Sequence, residues 1–139
     1  IFISYRRSDS SALALLLLAR FRMRGQDPFL DMNIEPGNDW RAQLENEVKA
    51  RENFICLIGP TTLESEYVRQ EIGWAIEAHA RIIPIWHNGF NDAQLAEFQA
   101  RFPALGEFYN KQAIRVEQEN ALAYEGAIIQ LLNRFGMMI

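Results

Sequence analysis

Tyr67 and Glu71 stand four residues apart in the run Ser65-Glu66-Tyr67-Val68-Arg69-Gln70-Glu71, which continues into the apolar Ile72-Gly73-Trp74-Ala75-Ile76. On a helix, positions four apart stack one above the other. The spacing therefore sets an aromatic surface beside a carboxylate, a pair on which a polar ligand can stack and to which it can hydrogen-bond. The competing reading is a solvated glutamate on an amphipathic helix. Other chemistries have little material to work with. His79 and His87 are the only histidines, no cluster of Cys, His and carboxylates has metal-ligand spacing, and no Ser-His-Asp arrangement stands out. Neither a metal site nor a hydrolytic triad is expected. The single cysteine, Cys56, lies inside the apolar run Phe54-Ile55-Cys56-Leu57-Ile58. It reads as a buried, inert thiol in a chain without a disulfide framework, suited to a reducing compartment.

The elements that must position this pair belong to a chain of 139 residues, 49% hydrophobic and 23% charged. That is enough apolar material for one globular domain, and residues 1–139 read as a single module cut from a longer polypeptide. The net charge of −4 weighs against a nucleic-acid partner, which needs clustered Lys and Arg. The longest apolar run, residues 12–19, is far too short to span a bilayer, so no membrane association is expected.

In order, Ile1-Phe2-Ile3-Ser4-Tyr5 reads as a first strand, and Ser8-Asp9-Ser10-Ser11 supplies N-cap candidates for a helix over about 10–24. Ala14, Leu17, Leu18 and Phe21 form its core stripe. A second stripe, Ala12, Leu16, Ala19 and Met23, lies almost opposite and reads either as a protein contact or as scattered surface residues. Gly25 ends the helix, and Pro28-Phe29-Leu30 leads into a short strand. Residues 31–39 form a long loop with Pro36-Gly37 as a turn and Asn38 or Asp39 as a cap. A helix over 40–51 turns Leu44 and Val48 inward. Residues 53–58 have almost no polar alternation and read as a central strand buried on both faces.

After the Gly59-Pro60 turn, a helix starting at Ser65 puts Glu71 roughly 9 Å from its mouth, at 1.5 Å of rise per residue. A start at Thr61 would carry it about 15 Å along, so residues 61–64 are expected to form a turn or a separate short segment. Ile72, Ala75 and Ile76 turn inward along a helix ending near Ala80. Then come a strand over 81–86, placed toward a sheet edge by Pro84, a helix over 91–101 capped by Asn91, a break at Pro103-Ala104-Leu105-Gly106, a short strand within 111–116, and a helix over about 120–135. Five strands alternating with helices predict an α/β fold, flavodoxin-like and three-layered, with a five-stranded parallel sheet. Strand order 2-1-3-4-5 puts the topological switch point beyond the carboxyl ends of strands one and three. Tyr5-Arg6-Arg7 and the approach to Glu71 meet there.

Several of these segments together resemble one family. Phe2-Ile3-Ser4-Tyr5-Arg6-Arg7, the loop at 31–40 with Pro36-Gly37, Ala50-Arg51-Glu52-Asn53-Phe54 running into Leu57-Ile58-Gly59-Pro60, the stretch 65–71 and Ile82-Ile83-Pro84-Ile85 are similar, in that order and over nearly the whole chain, to a TIR (Toll/interleukin receptor) domain. The resemblance implies the same five-stranded fold and makes 31–39 the family's BB loop, with Ile34, Pro36, Gly37, Asp39 and Trp40 as assembly residues. It is closest to the branch whose members cleave NAD+ at the nicotinamide–ribose bond, whose glutamate falls on Glu71. Tyr67 stands where most of those enzymes carry Trp, and Val68 where they carry Cys.

Nicotinamide leaves as a neutral base, so the difficult feature is the oxocarbenium-like charge on the ribose. The resemblance gives Glu71 the role of stabilising that charge. It implies substrate contacts from Ser4, Tyr5, Arg6, Arg7, Phe29, Asp31 and Tyr67. Arg6 and Arg7 suit the pyrophosphate, the alternative being a solvated pair or an ion pair with Asp31 or Glu71. NAD+ is then a substrate and no cofactor is expected. Without Gly-x-Gly-x-x-Gly its binding is not of the Rossmann type. The implied partners are NAD+ and other TIR domains in a homo-oligomer or filament that switches activity on. The implied setting is cytoplasmic, in an effector module of prokaryotic, antiphage immunity. The rival function is a non-enzymatic TIR scaffold. A phosphoacceptor receiver of the same fold needs paired acids after strand one, where Tyr5-Arg6-Arg7 stands instead. Linear ADP-ribose, cyclic ADP-ribose and base exchange all remain open as products.

Overall fold

Short hydrophobic runs, each followed by an amphipathic helix, bury themselves as a parallel sheet covered on both faces. The computed structural model of the chain describes residues 1–30 and 40–137. Its strands β1 (Phe2–Ser4), β2 (Phe29–Leu30), β3 (Asn53–Ile58), β4 (Arg81–Trp86) and β5 (Ile114–Arg115) form one sheet of order β2-β1-β3-β4-β5. All four neighbouring pairs are parallel. This is the flavodoxin-like order expected from the alternation of strands and helices.

Side chains alternate across the pleat, and the helices sort accordingly. Phe2, Phe54, Cys56 and Ile58 pack with Leu44 and Val48 of α2 (Trp40–Lys49) and with Val68, Ile72 and Ala75 of α3 (Glu66–Glu77). Phe98 of α4 (Asp92–Arg101) joins that layer. Ile3, Ile55, Leu57, Ile83 and Ile85 pack instead with Leu13, Leu17 and Phe21 of α1 (Arg7–Arg22) and with Ile128, Leu131 and Leu132 of α5 (Ala121–Arg134). Each such side chain contributes about 1.5–3 kcal/mol on burial, so these two layers, and not surface ion pairs worth about 0–1 kcal/mol each, hold the sheet between its helices. Ser4 follows Phe2 by two residues and so shares the face covered by α3, in register with Cys56 of β3. Among the described residues no helix is long and apolar enough to cross a membrane.

Helix α1 begins at Arg7, three residues before the expected start at Ser10, with Arg6 extended at the N-cap position and no side-chain cap. The polar residues that look like caps in the sequence lie inside the first turn. Asp9 and Ser10 spend their side chains on other elements, Asp9 on Thr61 and Thr62 and Ser10 on His87. The separate segment before α3 is present as a short 3-10 helix over Thr62–Glu64, and Ser65 caps α3 by accepting from the Val68 amide at 3.4 Å. Pro84 lies one strand in from the edge, where β5 pairs only with Ile85 and Trp86. The α2 cap residues Asn38 and Asp39 lie outside the described residues.

Candidate active site

At the carboxyl ends of β1 and β3, where the strand order reverses, the chain encloses a cleft of about 540 Å³. Its described lining comes from three places. Ile3, Tyr5, Arg6, Arg7 and Ser8 run from β1 into the first turn of α1; Ser65, Tyr67, Val68 and Glu71 come from the start of α3; Trp40 opens α2. Topology brings these together, since residues at the switch point face an open crevice and not a neighbouring crossover.

Glu71 forms the floor. Its helical face is set by Val68, Ile72 and Ala75, all buried, and Glu71 falls among them with 4% of its surface exposed. A carboxylate so buried is tolerable only with hydrogen-bond donors around it. Ser4, itself 1% exposed, donates its hydroxyl to Glu71 Oε1 at 2.8 Å. Beneath them lies Cys56, fully buried, whose thiol pKa is pushed up by burial and by the Glu71 carboxylate, against a smaller opposing effect of a hydrogen bond with Ser4. Cys56 therefore stays a neutral thiol, as its place in the apolar run suggests.

The walls differ in character. Tyr67, 54% exposed, meets Trp40 edge-on with ring centroids 4.7 Å apart and planes at 66°. The Arg41 guanidinium sits 5.5 Å from the Trp40 ring. The mouth is thus an aromatic corner. The opposite wall is the N-terminus of α1, where the first helical amides have no intrahelical acceptor and the helix dipole is positive. Arg7 and Ser8 supply that turn and line the cleft, both exposed. Arg6 also lines it, but its guanidinium donates to the Thr61 carbonyl at 2.6 Å and stands 3.9 Å from Glu64. Its tie is to the β3–α3 turn and not to Glu71.

Of the residues singled out from sequence, Glu71, Tyr5, Arg6, Arg7, Tyr67 and Trp40 converge on one cleft, and Ser4 stands just behind it as a partner of Glu71. Phe29 is placed differently. Its ring stacks on Phe2 at 5.3 Å and lies 5.0 Å from the Arg51 guanidinium, and it is not among the described lining residues. An aromatic residue in a two-residue strand reads alike whether it packs or binds. Asp31, Ile34, Pro36, Gly37 and Asp39 lie outside the described residues. The sequence reading missed Ile3, Ser8, Ser65 and Val68 as lining, and Asp9, Thr61 and Thr62 as its braces. Ser65 and Val68 carried a signal, lying in the same 65–71 stretch as Tyr67 and Glu71, and Ser8 did through its place beside Arg7.

The model of the TIR domain family matches residues 1–125. Among curated proteins, the chain is 27% identical over 143 residues to the NAD(+) hydrolase sarm1 of Drosophila melanogaster, a match covering 97% of this chain and 10% of that protein. It is 30% identical over 98 residues to the NAD(+) hydrolase tir-1 of Caenorhabditis elegans, covering 65% of this chain. The chain thus spans about a tenth of the length of these relatives. Among solved structures, the TIR domains of the activated Roq1 resistosome superpose with a TM-score of 0.74 at 16% identity, over 96% of this chain and 97% of that one. A flavodoxin-like domain from Synechococcus superposes with a TM-score of 0.56 at 19% identity, over 96% of this chain and 98% of that one.

Proposed function

The chain belongs to the TIR-domain family, and from that premise we propose that it cleaves NAD+ at the nicotinamide–ribose bond with Glu71 as the catalytic carboxylate. The observation that carries the reading is the Ser4–Glu71 pair, a buried carboxylate held at 2.8 Å by a buried hydroxyl on the floor of an open cleft. The names of the fly and worm relatives, NAD(+) hydrolases both, support the same substrate.

In this reading the nicotinamide ring lies in the corner of Tyr67 and Trp40, the ribose above Glu71, and the pyrophosphate against Arg7 and the first amides of α1. The C1′–N bond breaks and its electron pair leaves with nicotinamide, which departs neutral. Positive charge develops on C1′ and the ring oxygen, within reach of a carboxylate that is already fixed and needs no reorganisation. Water then adds to C1′ and gives up a proton, yielding ADP-ribose. Another nucleophile reaching the same cation would give the cyclic or base-exchanged product. Tyr67 in place of Trp keeps an aromatic face at the mouth. We propose also that the active form is an assembly of copies of this chain, a reading favoured by the exposed apolar face of α1 and by the likeness to TIR domains of a resistosome.

Nicotinamide release from NAD+, compared between the wild-type chain and Glu71→Ala at equal folded concentration, tests the site. The loss of a preorganised charge-stabilising group should lower kcat on the order of a hundredfold or more. Equal release by both proteins would remove Glu71 from the mechanism. No turnover by the wild type, even when assembled, would favour the scaffold.

A further inference from the structure

The two walls of the cleft belong to different elements, and one side chain holds them together. Asp9, in the first turn of α1, accepts the Thr61 amide at 2.8 Å and the Thr62 hydroxyl at 2.9 Å on Oδ2, and the Thr61 hydroxyl at 2.9 Å on Oδ1. Thr62 Oγ1 in turn accepts the Gly59 amide at 2.8 Å. The approach is so close that a Cβ at Gly59 would stand 2.8 Å from the Asp9 Cβ, which leaves room there for glycine alone. Arg6 adds a second tie through the Thr61 carbonyl. Two residues before Asp9, the chain presents Arg7 to the cleft; ten residues after Thr61, α3 presents Glu71.

We propose that Asp9 is a positioning residue for the cleft. By clasping the first turn of α1 to the β3–α3 turn, it fixes the separation between the wall carrying Arg7 and Ser8 and the floor carrying Glu71, and so sets how a dinucleotide spans the two. The inference rests on the NAD+ reading of the site. Three donors converge on two carboxylate oxygens, two of them on Oδ2. Asparagine could keep all three contacts, its NH2 donating to the Thr61 hydroxyl, whereas alanine removes every one. Misplacing the anion-binding wall weakens substrate binding while leaving Ser4 and Glu71 in place, whereas a brace that only stabilised the fold would lower the active fraction without changing affinity.

The test measures kcat and KM for NAD+ together with thermal melts for Asp9→Ala, Thr62→Val and Thr62→Ser. Asp9→Ala should raise KM about tenfold or more with kcat within about threefold of wild type, the scale of losing hydrogen bonds to a charged group. Thr62→Val, isosteric but without the hydroxyl, should move KM in the same direction by less, and Thr62→Ser should restore the wild-type value. Should Asp9→Ala fail to fold, the Thr62 pair decides. Unchanged KM with kcat falling only as the folded fraction falls would overturn the inference and leave the NAD+ reading standing. A wild-type chain that neither binds nor cleaves NAD+ would overturn that reading and this inference with it.

Discussion

Ser4 and Glu71 are 67 residues apart in sequence and 2.8 Å apart in the fold, and the bond between them can be tested from the Ser4 side. Ser4→Ala removes a donor from a carboxylate that is 4% exposed, which costs about 1–3 kcal/mol when a buried group loses its partner. The urea midpoint should fall accordingly. Glu71, less firmly oriented, should lose about tenfold in kcat with KM little changed. Full activity in a destabilised Ser4→Ala would reduce the bond to a brace for α3. Glu71 itself is legible in the sequence, because helical spacing places it a turn beyond Tyr67 and strand order aims both at the switch point. The role of Ser4 toward Glu71 is not. It needs the pleat, which turns Phe2 and Ser4 toward α3, together with the register that sets Ser4 beside Cys56. The contacts of Asp9 with Thr61 and Thr62 were equally hidden, since side-chain bonds across 52 and 53 residues leave no period to read.

At the scale of elements, the strands and the helix faces follow from hydrophobic spacing, while the start of α1 does not. Ser10 looks like a cap but is buried on the opposite side of the helix turn, within 2.6 Å of His87 Nε2. His87 Nδ1 is 2.8 Å from the Tyr124 hydroxyl, which donates to Glu119. The Tyr124 oxygen therefore accepts from Nδ1–H, and Ser10 donates to a bare Nε2. With the imidazole neutral, this relay ties α1, the end of β4 and α5 together.

Burial holds the His87 pKa below its ordinary 6.5, against the opposing pull of the Glu119 and Asp9 carboxylates. Above pH 6.5 both folded and unfolded chains carry it neutral. As the pH falls below 6.5 the unfolded chain takes up a proton that the folded chain refuses, so stability is full above that point and declines toward the folded-state pKa. Urea midpoints measured between pH 7.5 and about 5.5 should fall with acid in the wild type. They should be lower but flatter in His87→Gln. An equal slope in both would assign the pH dependence elsewhere.

For the whole molecule, the outer face of α1 stands out among the described residues as an exposed apolar stripe. The inner stripe read from sequence, Ala14, Leu17, Leu18 and Phe21, is buried as expected, and the opposite stripe is exposed: Leu16 at 42% and Met23 at 77%, joined by Leu15 at 53%. Apolar side chains gathered on one helix face are costly to leave in water, at about 25 cal/mol per Å². If copies of this chain assemble through that face, specific NAD+-cleaving activity should rise with protein concentration along with sedimentation coefficient. Leu15→Glu combined with Leu16→Glu adds two charges at exposed positions, where the cost to folding is within about 0.5 kcal/mol per site, yet like charges facing each other across an interface oppose association. The double variant should melt near the wild type, sediment as a monomer and show a low specific activity that no longer depends on concentration. Glu71→Ala should assemble like the wild type while remaining inactive, which separates the surface from the site. A double variant that still assembles and gains activity with concentration would move the interface away from α1.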